Sequence, residues 1–222
     1  MDWQAFSVSI WLGAGTLLVL MPAGIALGHL LATHSFRGRA VVEALVAVPL
    51  ILPPTVLGYY LLTAFGVRSP LGAAFEQVLG HALAFSFPGL LLASALANVP
   101  FVVQPIQRGF EAVPVEVREA GACCGLGPWQ RFLRVEMPLA WPGIVTAAIL
   151  AFAHTLGEFG VVLMVGGNIP GETRTLSVAI YDRMQAFDDR AAGLMAAVLL
   201  AITVSGLAVT TVLARRVGRR RG

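Results

Sequence analysis

The sequence predicts an all-α polytopic membrane protein with about five transmembrane helices, a sixth being possible. Three observations carry that expectation. The chain is 57% hydrophobic and only 12% charged, whereas a soluble domain carries about 25% charged residues. Apolar runs long enough to cross a bilayer, roughly 20 residues at 1.5 Å rise each, recur along it. No succession of short alternating segments, the mark of a membrane β-barrel, is visible. All 222 residues are read as one transmembrane domain.

The first span covers about 6–32. It has no basic segment before it, and its apolar run exceeds the roughly 7–15 residues of a signal-peptide core, so it is read as a span. Gly24 and Gly28 within it suit close helix packing, unless their spacing is incidental. The second span, about 41–65, contains Pro49, Pro53 and Pro54. Each proline removes a helix hydrogen bond, and backbone groups freed in a bilayer must be satisfied by protein or pathway water. A kinked helix facing other helices is expected, either as a static bend or as one that matters in gating. The third span covers about 81–103, the fourth 140–166 and the fifth 191–214.

Orientation follows from arginine. The chain has no lysine, so all 15 of its basic side chains are Arg. Eleven of them fall on one side of a five-span chain: Arg37, Arg39, Arg108, Arg118, Arg131, Arg134, Arg215, Arg216, Arg219, Arg220 and Arg221. Arg68, Arg174, Arg183 and Arg190 fall on the other. The positive-inside rule places the loop at 104–139 and the tail at 215–222 in the cytoplasm and the N-terminus outside. The tail reads as a topology anchor that touches anionic membrane lipid, not as a nucleic-acid binder.

The missing lysine excludes several chemistries. A phosphate-binding P-loop ends in Lys, so this chain cannot supply that ATPase site, nor can it form a Schiff base. It contains no HExxH, no GxSxG and no spaced Cys/His set. No catalytic residue, metal ligand or cofactor is expected in the chain itself. Cys123 and Cys124 fall on the reducing side, where a disulfide is disfavoured. They are expected to be small apolar packing residues.

A polar insert, Glu111 to Pro138, separates the third and fourth spans. Pro114 suits the first turn of a helix, and Val115 to Cys124 provide two to three turns. Gly125 and Gly127, helped by Pro128, stop it. Trp129, Phe132 and Leu133 resume an apolar stripe that Pro138 is expected to end. The element predicted is a short helix, a tight turn and a second short helix, with Glu116, Arg118, Glu119, Arg131 and Arg134 on its polar faces.

The spacing within that insert resembles a known one. Glu119-Ala120-Gly121, three residues, Gly125, nine residues and Val135-Glu136-Met137-Pro138 are similar to the Glu-Ala-Ala motif of ATP-binding-cassette (ABC) importer permeases. Gly121 stands where that family has Ala, Val135 where it has Ile and Met137 where it has Leu. The resemblance implies a type I importer permease fold. Its cytoplasmic coupling helix would dock into a groove of a separate ATPase, through Glu116, Glu119, Ala120, Gly121, Gly125, Leu126 and Pro138. Gly121 weakens a helix by up to ~1 kcal/mol relative to Ala, and its small size would let a partner approach closely.

A second resemblance narrows the branch. His154-Thr155-Leu156-Gly157-Glu158-Phe159-Gly160, the segment Gly167 to Thr175 and Ala179-Ile180-Tyr181 are similar to the molybdate branch of these permeases. So are Pro49 to Val56 and Gly58-Tyr59-Tyr60. The resemblance implies molybdate import, with tungstate and sulfate as alternatives. The implied partners are two ATPase copies, which bind the ATP and Mg, an extracytoplasmic molybdate-binding protein and a second copy of this chain. The implied location is the bacterial inner membrane.

Pathway or gate candidates are Pro53, Pro54 and Thr55 in span two, Glu158 near the outer end of span four, and Asn168, Arg174 and Thr175 in the turn-rich loop beyond it. A carboxylate repels an oxyanion. A structural role for Glu158, bonded to neighbouring backbone or to Thr155 or His154, is therefore weighed against a gate or a binding-protein contact. Arg174 and Thr175 are expected to meet either a docking protein or the passing anion. Two other classes remain open. An ion-coupled secondary transporter would show inverted repeats and buried ion-coupling groups. A membrane enzyme would show clustered nucleophiles or metal ligands.

Overall fold

The computed structural model describes residues 1–218, with the side chains of Leu79 and 213–218 left undescribed. Arg219, Arg220 and Arg221 of the basic tail lie outside the described residues, as do the side chains of Arg215 and Arg216. The chain is all helical: α1 (Trp3–Thr33), α2 (Arg39–Ile51), α3 (Pro54–Phe65), α4 (Pro70–Leu79), α5 (Phe87–Glu111), α6 (Val115–Cys123), α7 (Pro128–Arg131), a π-helical turn (Phe132–Glu136), α8 (Met137–Gly157), α9 (Gly160–Gly166), α10 (Leu176–Gln185) and α11 (Asp189–Gly218). Among the described residues, four helices are long and apolar enough to cross a membrane: α1, α5, the run Pro128–Gly157 and α11. A fifth crossing requires α2 and α3 to count as one broken span. No described helix supplies a sixth.

The body is built on α1, α5 and α8. Leu20, Val102, Ile106, Phe110, Ala140, Ala147 and Ala151 form its largest buried cluster. Small residues let the backbones approach, because lipid supplies no hydrophobic push between helices and packing must hold them. A Cβ on Gly24 would lie 2.3 Å from Val102 Cγ1, and one on Gly28 would lie 2.7 Å from Ile106 Cγ2. Both glycines therefore line the α1–α5 crossing. At the α5–α8 crossing, a Cβ on Gly143 would sit 2.6 Å from the Pro105 carbonyl oxygen and 2.8 Å from Gly109 Cα.

The second span is broken outright, not kinked. Leu52 and Pro53 are extended, and the axes of α2 and α3 differ by 109°. Pro53 and Pro54 both lack an N–H, so two successive helix bonds are missing. Pro49 lies inside α2 and does not end it. The third span starts at Phe87 and not at His81. Ser86 caps it, accepting from Gly89 N–H at 3.3 Å, and Pro88 occupies its first turn. It then runs on to Glu111, since its polar last residues end the apolar stretch but not the helix.

The loop expected at 104–139 is accordingly short. Only 112–114 and 124–127 lie outside helices. Pro138 does not end a helix: α7, the π turn and α8 run continuously from Pro128 to Gly157. The Met137 N–H reaches back five residues to the Phe132 carbonyl, and this widened turn accommodates a proline that cannot donate to Arg134. The fourth span, expected unbroken over 140–166, is interrupted at Glu158 and Phe159. Gly157 and Gly160 flank the gap, and one local and one tertiary bond hold it. The Glu158 side chain accepts the Val161 N–H at 3.0 Å, and the Ser177 hydroxyl donates to the Glu158 carbonyl at 2.7 Å.

Candidate functional site

The insert forms a compact platform at the end of the molecule where α1 and α5 finish and α8 begins. Pro114, extended at φ −58° and ψ 142°, precedes α6. The helix stops in a Schellman motif. Gly125 takes φ +79°, its N–H donates to the Ala122 carbonyl at 2.9 Å, and Leu126 N–H donates to the Gly121 carbonyl at 3.2 Å. Glu116, Glu119 and Ala120 are exposed, and Leu126 is half-buried. Cys123 and Cys124 are also exposed. They are not packing residues, because they lie on the outer side of the end of α6, opposite the buried Gly121.

Gly121 faces inward. A Cβ there would meet Arg131 Cγ at 3.6 Å and Val135 Cγ2 at 3.7 Å, ordinary van der Waals distances. The residue therefore packs against its own chain and does not present a small face to a partner. Gly121→Ala is expected to raise stability by about 0.5–1 kcal/mol, since Ala fits and Gly is the more flexible in the unfolded chain. A lower melting temperature for the purified variant would contradict this geometry.

Three residues to which the sequence assigns no bracing role hold the platform to the body. The Arg118 guanidinium donates to the Phe110 carbonyl at the end of α5. Glu136, only 3% exposed, lies 2.6 Å from His29 Nε2 and accepts from Arg131 Nε at 3.3 Å. The His29 ring meets Phe110 and Phe132 edge-on, at 4.9 and 4.8 Å between centroids. Glu136 occupies an unspecified position of the motif-like spacing, and His29 lies 107 residues away in sequence. The only signal for them was an ionisable residue beside a span.

A polar chain crosses the interior nearer the other end. The Thr16 hydroxyl donates to Ser94 Oγ at 2.9 Å, and Asn98 Nδ2 donates to Thr155 Oγ1 at 3.0 Å. Asn98 Oδ1 lies 3.2 Å from His154 Nδ1, and His154 Nε2 lies 3.4 Å from Glu158. Phe101 stacks on the His154 ring at 4.0 Å. Glu158 is buried and caps α9. The exposed Pro53, Pro54 and Thr55 lie against α9, because a Cβ on Gly160 would be 2.7 Å from Pro54 Cβ.

Beyond α9, the loop residues spend their polar groups on the chain itself. Arg174 Nε donates to Asn168 Oδ1 at 2.6 Å, and its terminal nitrogens lie 3.9 Å from Asp2 and 3.8 Å from Asp182. Asn168 Nδ2 donates to Asp182 at 2.7 Å, and Thr175, fully buried, pairs with Ser177 at 2.9 Å. Arg174, Asn168 and Asp182 thus form a latch that ties the start of α1, the loop and α10 together. A guanidinium already facing two carboxylates has little field left for an oxyanion.

Residues 21–221 match the family described as the binding-protein-dependent transport system inner membrane component. The chain belongs to this family. This inner membrane component is 46% identical to the molybdenum transport system permease protein ModB of Azotobacter vinelandii over 188 residues, covering 84% of its own length and 83% of the relative's. It is 35% identical to the protein of that name from Escherichia coli K12 over 222 residues, covering 100% and 97%. It is 34% identical to the E. coli sulfate transport system permease protein CysT over 197 residues, covering 89% and 71%.

The fold of this inner membrane component recurs in solved importers. A bacterial ABC transporter that imports the acidic polysaccharide alginate matches with a TM-score of 0.69 at 16% identity, over 97% of this chain and 78% of that one. The MetNI methionine ABC transporter, in an inward-facing conformation, matches with a TM-score of 0.65 at 17% identity, over 96% and 94%. The resemblances carried by Glu119 to Pro138 and by His154 to Tyr181 agree with these likenesses.

Proposed function

We propose that the chain is the permease subunit of an ABC importer that carries molybdate across the bacterial cytoplasmic membrane. The observation that supports this most is the exposed face of α6, held on a braced platform, in a chain 46% identical to a molybdenum permease. Glu116, Glu119, Ala120, Gly125 and Leu126 dock into a groove of the ATPase. Gly121 and Pro138 act from inside, one packing α6 against Arg131 and Val135, the other following the π turn. Two copies of the chain surround a pathway on a two-fold axis. Two ATPase subunits, holding ATP and Mg, lie on the α6 side, and a molybdate-binding protein docks at the opposite end. The arginine distribution puts α6 and the C-terminus in the cytoplasm and the N-terminus outside. ATPase closure moves α6 and tilts the spans, giving alternating access.

The test is uptake of labelled molybdate into vesicles that hold the chain, its ATPase and its binding protein. Glu119→Arg is expected to reduce ATP-driven uptake about tenfold or more, because reversing a docked charge costs at least ~1.4 kcal/mol. Uptake driven by an ion gradient with no ATPase present would overturn the reading. The likeness to a sulfate permease makes sulfate the competing cargo. Equal uptake of sulfate through the same binding protein would reassign the substrate.

A further inference from the structure

We infer that a cavity between α2, α5 and α8 is a binding site for a tetrahedral oxyanion, the cargo on its way to the cytoplasm. This rests on the permease reading above and adds the residues that hold the anion. The cavity has a volume of about 440 Å³. A water takes about 30 Å³ of liquid, so a five-atom oxyanion fits with part of its hydration shell.

Its lining suits an anion. Arg108 and Gln104 stand one turn apart on the same face of α5. Neither side chain makes a hydrogen bond or ion pair among the described residues, so the guanidinium and the amide are both free to donate. No acidic residue lines the cavity. The nearest carboxylate along α5, Glu111, is held by Arg39 at 3.4 Å and Gln107 at 3.0 Å. Thr146 also lines the site, but its hydroxyl donates to the Pro142 carbonyl at 2.7 Å and is no donor to a ligand.

The cavity is built to keep its shape. Pro105 leaves the carbonyl of Phe101, a residue of the lining, without a helical donor. The Gly109–Gly143 crossing forms its floor and cannot widen or narrow by side-chain rotation. Leu50, two residues before the break in span two, contributes to the wall. Arg108 lies in the last turn of α5, beside the α6 platform, which makes this an inner site. The cationic candidate at the opposite end, Arg174, is already spent on Asp2 and Asp182.

A lipid phosphate presents the same chemistry to Arg108, so the experiment separates the two sources. The ATP-free permease–ATPase complex, without binding protein, is tested for labelled molybdate binding by equilibrium dialysis, with neutral lipid and again with added phosphatidylglycerol. Wild type is expected to bind, and Arg108→Gln to bind about tenfold or more weakly. Arg108→Lys should recover part of the loss, and ATPase co-purification should be unchanged in all. No binding by wild type, or equal binding by Arg108→Gln, overturns the site. Molybdate displaced by phosphatidylglycerol in wild type but not in Arg108→Gln assigns it to lipid headgroups and overturns the cargo role. If the complex transports molybdate and Glu119→Arg uncouples it while Arg108→Gln binds normally, only the site fails. If wild type transports no molybdate, the permease reading fails with it.

Discussion

Gly143→Ala is expected to destabilise the folded chain by about 2 kcal/mol, though alanine is the better helix former. Two effects compete. In a helix interior, Ala gains up to ~1 kcal/mol over Gly. Against this, the new Cβ would lie 2.6 Å from the Pro105 carbonyl oxygen and 2.8 Å from Gly109 Cα. Both are backbone atoms, so no rotamer change relieves the contact, and α5 must move away from α8. Overpacking of this kind costs about 3 kcal/mol at the upper end of its usual range. The shift also reaches the buried cluster of Ile106, Phe110, Ala140 and Ala147 around the crossing. Thermal unfolding of the purified protein checks this: Gly143→Ala should melt lower than wild type, whereas Gly121→Ala should melt at or above it. The same substitution with opposite signs tests the contact distances and not glycine propensity. Equal shifts would mean that α5 and α8 do not cross as described.

Glu136→Ala is the second large effect, with an expected loss of about 3 kcal/mol. The carboxylate is 3% exposed and serves both His29 and Arg131. Its removal strands two polar partners and leaves a void beside Phe132, and breaking a buried pair costs about 3–5 kcal/mol. The lower figure applies because the His29 and Arg131 side chains are 23% and 31% exposed and regain some water. Glu136→Gln keeps the shape and an acceptor for His29 but turns an amide toward Arg131, so it should lose about half as much. A double-mutant cycle with His29→Phe should give a coupling energy of about 1 kcal/mol or more. A loss under ~0.5 kcal/mol for Glu136→Ala would show that the cluster does not hold the platform.

Much of the architecture was legible in the residues, for reasons that are local. Apolar run length marks the crossings, and the start and stop of α6 are written in Pro114 and Gly125. The true start of α5 was written too, as Ser86 followed by Pro88, a cap signal that a hydropathy reading passes over. The misreadings have causes that apolar run length does not show. Pro138 ordinarily forbids helix, yet the π turn before it removes the conflict. Glu158 and Phe159 carry no helix breaker. Their interruption lies between Gly157 and Gly160 and is held by the Glu158 cap on Val161 and by the hydroxyl of Ser177, 19 residues on. Of the candidate site, the exposed helix α6 was visible as spacing. The functions guessed for Arg174 and Asn168 were not, because Asp2 and Asp182 come to them only through the fold.

The two interrupted spans lie against each other at their gaps. Gly160 meets Pro54, and a Cβ on Gly58 would come 2.8 Å from Met164 Cβ, so α3 and α9 form one close-packed pair. No backbone hydrogen bond joins α2 to α3, or α8 to α9, across the gaps. Mechanically the pair is a short block joined to α2 and α8 through non-helical backbone, with Glu158 and Ser177 side chains standing in for helical bonds at the second gap. Its packing on Ala93 and Ala97 of α5, and not helical backbone, therefore sets where the pair sits relative to the long inner helices.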